Sequence, residues 1–100
     1  MIIVRVEVHV DPNSVAAMKD ALAEMENETR KEAGCIDYAF SQEINNPGVL
    51  RVSELWADMA ALEAHMKSPH MAKFQGAIVQ HAPTSVDVKF YEGEEVSGPA

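Results

Sequence analysis

Apolar and polar positions alternate along this chain with two different periods. Over Ile2–Val10 every second residue is apolar and most of these are β-branched, which predicts a strand with one apolar face. Over Val15–Thr29 the apolar residues recur at intervals of three and four, so the spacing predicts one long amphipathic helix. The turn Asp11-Pro12-Asn13-Ser14 supplies its N-cap, and Gly34 marks its end.

The next segment has the pattern of a β-hairpin. Ile36, Tyr38 and Phe40 alternate with polar or small residues and predict a second strand, and a third strand follows over Val49–Trp56. Between them lies Asn45-Asn46-Pro47-Gly48. Proline presets its own φ and glycine accepts a positive φ, so this sequence predicts a type II turn.

The last third of the chain repeats the change from helical to strand period. Two short helical stripes, containing Met59 and Met71, are separated by Ser68-Pro69, which predicts two half-helices. A fourth strand follows, with Val86, Val88 and Phe90 on one face. We expect residues 1–92 to form one domain and residues 93–100 to form an acidic, flexible tail.

This order of elements predicts an α+β, ferredoxin-like split βαβ fold, in which the helices cover one face of a four-stranded antiparallel sheet. The face that should meet the helices carries Val4, Val6, Val8, Ile36, Tyr38, Leu50, Val52, Val86, Val88 and Phe90. The opposite face carries Arg5, Glu7, Asp37, Arg51, Ser53, Asp87 and Lys89. Its mixed charges fit either a second copy of the chain or simple solvation.

Composition narrows the choice of partners and compartment. The chain has 100 residues and a formal net charge of -8, which disfavours nucleic acid and anionic lipid as partners. Its single cysteine, Cys35, excludes an internal disulfide, and no segment has the pattern of a signal peptide or a membrane span. We expect a cytoplasmic protein, and its small size favours a homodimer.

The candidate acid–base residues are one glutamate and two histidines. Period two aims Glu54 at the apolar side of the third strand, where burial would raise its pKa toward the range of a proton acceptor. Helical spacing keeps His65 at the buried stripe, and His70 follows the Ser68-Pro69 break. Each also has a purely structural interpretation as a hydrogen-bonded or capping side chain.

Three aromatic residues, Tyr38, Trp56 and Phe74, are candidates for the walls of a flat substrate site, although each is also a natural core residue. His65 and His70 lack the spacing of metal ligands on a helix, so no metal site is predicted. The sequence contains no glycine-rich phosphate loop, and no nucleotide cofactor is expected.

Several stretches resemble the antibiotic biosynthesis monooxygenase family, and in particular its quinol monooxygenase branch. The resemblance lies in Glu32-Ala33-Gly34-Cys35-Ile36-Asp37-Tyr38, in Glu54-Leu55-Trp56 with the helix to His65, and in Ser68-Pro69-His70-Met71. It implies a ferredoxin-like homodimer in which the sheets of two subunits pack together. It also implies one pocket per subunit, between sheet and helices, and oxygenase chemistry without flavin or metal. Haem is not expected, because Gln75 stands where haem-degrading members of the family have an iron-binding histidine.

The leading functional hypothesis is therefore a cofactor-independent monooxygenase that oxidises a small quinol or aromatic substrate with molecular oxygen. Glu54 or His65 would be the base, and Tyr38, Trp56, His70 and Phe74 would bind the substrate. Two alternatives stay open: an isomerase or degradation enzyme for a small carbonyl or sugar-phosphate metabolite, and a noncatalytic dimeric binding module.

Overall fold

A computed structural model describes residues 1–99, which form four strands and four helices. The elements in chain order are β1 (Ile2–His9), α1 (Pro12–Ala17), α2 (Lys19–Thr29), β2 (Cys35–Gln42), β3 (Val49–Trp56), α3 (Met59–Met66), α4 (Pro69–Val79) and β4 (Ser85–Glu92). The strands form one antiparallel sheet in the order β2-β3-β1-β4. This is the predicted ferredoxin-like α+β arrangement.

The core lies between the sheet and the helices and consists of two adjoining clusters. One is centred on Trp56, Met25 and Leu62, and the other on Met18 and Leu50. Both clusters use side chains of the central strands β1 and β3, because these strands have a neighbour on each side and helices above them.

The predicted long helix is divided in two. Met18, with φ -89° and ψ 3°, departs from helical backbone geometry. It lies between the end of α1 and the start of α2. Hydrogen bonds from Met18 N to Ser14 O and from Leu22 N to Met18 O, both 2.9 Å, continue the helical bonding across this point. The helical spacing of apolar residues therefore continues across Met18. For this reason the sequence pattern does not reveal the division into two helices.

The hairpin between β2 and β3 is confirmed, but the type II turn with a positive φ at Gly48 is wrong. Within residues 1–99, the glycine with a positive φ is Gly34, at 81°. At Gly48 a Cβ atom would lie 2.8 Å from Val10 O, and Val10 N donates to Gly48 O over 2.9 Å. Glycine serves here to let two backbone segments approach each other.

The predicted apolar face is only partly covered by helices. Ile36 is 56% exposed because the pairing of β2 with β3 shifts register between Cys35 and Asp37, which takes Ile36 out of the alternation. Val86, Val88 and Phe90 are also exposed. Strand β4 lies at the edge of the sheet, and every residue of it is exposed.

Beyond β4, residues 93–99 have neither helix nor strand, and Ala100 of the predicted tail lies outside the described residues. Among residues 1–99, no helix has the length and apolar content needed to cross a bilayer.

Candidate active site

Glu54 is an acidic side chain that the fold buries against the helical layer. It lies in the middle of the sheet, paired with Val4 of β1 and Tyr38 of β2, and is only 7% exposed. The Trp56 indole N–H donates to Glu54 Oε1 over 2.9 Å. Burial raises the pKa of Glu54, and the Trp56 hydrogen bond offsets this only in part. A raised pKa makes the Glu54 carboxylate a stronger proton acceptor than an ordinary glutamate.

An apolar cavity of about 240 Å³ lies beside Glu54, between the sheet and the helices α3 and α4. Tyr38, Glu54 and Phe74 of the predicted site line it, whereas Trp56, His65 and His70 do not. The full lining is Val4, Val6, Val8, Tyr38, Phe40, Leu50, Val52, Glu54, Leu62, Met66, Met71, Phe74, Gln75, Ile78, Pro83, Val86, Val88 and Phe90. Within the described part of the chain, this lining contains no lysine, arginine or histidine.

Aromatic rings form one wall of the cavity. Tyr38 meets Phe40 edge to face with ring centroids 5.5 Å apart, and Phe40 meets Phe74 at 5.4 Å. Burial, with a smaller contribution from the charge of Glu54, raises the pKa of the Tyr38 hydroxyl far above its usual range, so it stays protonated. Phe40 was not predicted as a site residue, although period two from Tyr38 would have found it.

His65 lies behind this wall and is fully buried. Its ring centroid is 4.7 Å from that of Trp56 and 5.6 Å from that of Tyr38. His65 therefore packs beside both aromatic rings. His65 Nε2 is buried and has no hydrogen-bond partner within the described part of the chain.

Glu32, which the sequence analysis did not single out as a candidate site residue, joins the two candidate histidines. Its Oε2 lies 2.6 Å from His65 Nδ1 and 2.9 Å from His70 Nε2. We call these three residues the Glu32 cluster. Glu32 follows the end of α2, 33 and 38 positions before its partners, so no local spacing links it to them.

Capping and a close backbone contact bring the cluster together. Ser68 caps α4: its hydroxyl donates to His65 O over 2.7 Å and accepts from Met71 N over 3.3 Å. This sets His65 in the last turn of α3 and His70 in the first turn of α4. A Cβ atom on Gly34 would lie 2.5 Å from Ala61 Cβ, so glycine allows α3 to approach the segment that carries Glu32.

The same three residues are the group that could supply ligands to a metal ion, with donor atoms that all lie within 4.8 Å of one another. Both histidine nitrogens already lie at hydrogen-bond distance from one carboxylate oxygen, so hydrogen bonding alone accounts for the arrangement. That no metal is bound stays a prediction.

Cys35 pairs with Trp56 across the sheet. Burial raises the pKa of its thiol, and the nearby carboxylates of Glu32, Asp37 and Glu54 raise it further. This environment disfavours the thiolate, so Cys35 is a poor nucleophile.

The family model for antibiotic biosynthesis monooxygenases matches residues 1–77. The chain belongs to the antibiotic biosynthesis monooxygenase family. Glu54, the Glu32 cluster and most of the cavity lining lie within this matched segment, whereas Ile78, Pro83 and the β4 residues of the lining follow it. A search of curated proteins finds no match to this family member.

Solved structures share the fold over almost the whole chain. A Deinococcus radiodurans protein named for the same family has a TM-score of 0.90 at 23% identity, covering 100% of this chain and 99% of its own. A conserved protein of Methanosarcina mazei Go1 has a TM-score of 0.86 at 29% identity, with coverages of 93% and 92%. A Bacteroides thetaiotaomicron protein of unknown function, named a possible oxidoreductase, has a TM-score of 0.81 at 27% identity, with coverages of 92% and 96%.

Proposed function

We propose that this family member is a cofactor-independent monooxygenase that oxidises a small quinol or other hydroxylated aromatic inside the cavity. The observation that carries the proposal is a buried carboxyl group, Glu54, with a raised pKa in the wall of an otherwise apolar and aromatic cavity. A flat aromatic ring suits such walls, and its hydroxyl group would meet the one carboxylate among them.

The chemistry needs little from the protein beyond a base and a dry space. Glu54 takes the proton of the substrate hydroxyl, and the resulting electron-rich anion can pass an electron directly to O₂. One oxygen atom then joins the ring and the other leaves as water, and the aromatic substrate supplies all the electrons. The protonated Tyr38 hydroxyl is a suitable donor to the developing oxyanion.

In this proposal Glu54 is the base, because it lines the cavity and His65 does not. Phe74 binds substrate through its ring, whereas Trp56 acts from behind the wall by holding Glu54 Oε1. The sugar-phosphate alternative is disfavoured because the cavity lining within residues 1–99 offers no cationic side chain to a phosphate.

Oxygen uptake with 1,4-naphthohydroquinone tests the proposal. We expect the purified protein to accelerate uptake over the spontaneous rate and to form a product heavier by one oxygen atom than the parent quinone. Glu54→Gln should lower kcat by about 10²-fold or more, because it removes the proton acceptor. Glu63→Gln, an exposed carboxylate on α3, is the matched control and should behave like the wild type.

Three results would contradict the proposal. Oxygen uptake no faster than in buffer would exclude this activity. An unchanged rate in Glu54→Gln would remove Glu54 as the base. Isomerisation of a carbonyl substrate without oxygen uptake would favour the alternative enzyme class.

A further inference from the structure

The sheet side of the cavity is continuous from the buried strand β3 to the edge strand β4. Residues that are paired across neighbouring strands lie on the same face of a sheet. Two such rows cross β3, β1 and β4 in the cavity lining: Glu54, Val4 and Phe90, and beside it Val52, Val6 and Val88. Neighbouring strands are about 4.8 Å apart, so the positions of Glu54 and Phe90 are separated by roughly 10 Å. The cavity therefore continues well beyond its one carboxylate.

This surface is buried at one end and open at the other. In the first row Glu54 and Val4 are buried, whereas Phe90 is about half exposed. In the second row Val52 is buried, whereas Val88 is 43% exposed. A flat ring bound at Glu54 is thus enclosed, and a group attached to the ring on the β4 side lies on a surface that leads to solvent.

The open end of the cavity is apolar. Val86, Val88 and Phe90 form it on β4, and Glu54 is the only charged residue in the lining within residues 1–99. A charged substituent on this surface would lose hydration and find no ion partner, whereas a hydrocarbon substituent would lose only unfavourable contact with water.

The features that suit a second copy of the chain lie on the other face of β4. Asp87 and Lys89 alternate with the apolar residues and line the outer surface of the sheet together with Arg51. The apolar face of β4 is shared with the cavity instead. Its continuity with the cavity therefore favours a part of the bound molecule as its occupant.

We propose that the substrate is a quinol that carries a hydrocarbon chain, with a hydroxyl group at Glu54 and the chain along Val86, Val88 and Phe90. The inference rests on the proposed function and names the substrate class of the same cavity. Each CH₂ group that is fully removed from water should tighten binding by up to about fourfold. On a half-open surface the gain per group should be smaller, at roughly twofold.

The affinities of two naphthoquinones test the inference without turnover, because these compounds are already oxidised. Quenching of the only tryptophan, Trp56, by 2-methyl- and 2-pentyl-1,4-naphthoquinone gives the two Kd values. We expect the wild type to bind the pentyl compound about tenfold or more tightly than the methyl compound. Val88→Asp should reduce this difference to about threefold or less, because the chain would then cover a charged group. Binding of the methyl compound should change little.

Two further variants keep this comparison interpretable. Val79→Asp makes the same change at an exposed valine of α4 outside the cavity lining, and it should retain the wild-type difference. Val88→Thr keeps the β-branched shape and adds only a hydroxyl group, so it should fold even if Val88→Asp does not. It should lower the gain from the chain by about twofold or more.

Equal affinities of the wild type for the two quinones would overturn the inference, and so would the full wild-type difference in both Val88 variants. A wild-type oligomer that Val88→Asp dissociates, measured by sedimentation, would also overturn it, because a second copy would then cover this face. Oxygen uptake with the two corresponding hydroquinones keeps the proposed function separate. Tighter binding of the pentyl compound without oxygen uptake would contradict the monooxygenase activity and support the site for the chain.

Discussion

Strands β1 and β4 lie side by side and carry the same alternation of apolar residues, but their environments differ. On β1, Val4 and Val8 are 2% and 3% exposed. On β4, their partners Phe90 and Val86 are 54% and 55% exposed. The pattern of residues thus determines which face of a strand is apolar, whereas burial depends on what lies above that face.

The cavity lies along the boundary between these two regions. Its lining includes Val4 and Val8 from the covered side and Val86 and Phe90 from the open side. The exposed apolar face of β4 is therefore a wall of the proposed substrate site. The comparison between covered and open regions can be tested by paired substitutions.

The largest difference should appear between the two aromatic residues Trp56 and Phe90. Trp56 has no exposed surface, so Trp56→Ala should lower the free energy of unfolding by about 3–5 kcal/mol. Phe90 is about half exposed, and Phe90→Ala should cost roughly 1 kcal/mol or less. Urea unfolding of both variants measures this. Equal losses would contradict the difference between the two regions.

Two glycines extend the comparison to the helical layer. Gly34 has φ 81° and lies against Ala61, so Gly34→Ala should destabilise the fold by about 1–3 kcal/mol. Gly76 lies within α4 with no atom within 4 Å of an added Cβ, so Gly76→Ala should stabilise by roughly 0.5–1 kcal/mol. Thermal unfolding tests both predictions, because the melting temperature should fall in Gly34→Ala and rise in Gly76→Ala. A neutral Gly34→Ala would mean that α3 does not approach as closely as described.

The outer face of the sheet provides a third test. Arg51 contacts Glu7 at 2.7 Å and Glu43 at 3.1 Å, in a region of mixed charge that also contains Arg5 and Lys89. We expect a homodimer through this face, and we expect Arg51→Glu to weaken it by about tenfold or more, because like charges would then meet. Sedimentation at micromolar concentration measures the association, with Lys67→Glu, an exposed residue directly after α3, as the control. A wild-type monomer would contradict the expectation.

The smallest effect concerns pH and the burial of Glu54. Because the folded state raises the pKa of this carboxyl, it holds the proton more tightly than the unfolded state does. Stability should therefore fall as pH rises from the unfolded pKa, about 4.3, through the folded pKa, and the cost should persist above it. Glu54→Gln should remove this cost, so its stability advantage should grow with pH. An advantage that is constant with pH would exclude a raised pKa.

The sequence predicted the residues that follow a local period. Alternation along β3 was enough to put Glu54 and Trp56 on the helix side, and helical spacing was enough to bury His65. The role of Glu32 could not be predicted in this way, because its partners are brought to it by the caps and by the close contact at Gly34. The exposure of Ile36 depends on a register shift in the pairing of β2 with β3. The alternation of residues along β2 alone does not reveal such a shift.

The fluorescence of Trp56 tests the central claim most directly. Trp56 is the only tryptophan, and its indole N–H is bonded to the Glu54 carboxyl, so its emission reports the ionisation of that group. We predict a change in emission with a midpoint above the ordinary glutamate value of about 4.3, and its absence in Glu54→Gln. A midpoint at the ordinary value, or the same transition in Glu54→Gln, would contradict a buried proton acceptor at this cavity.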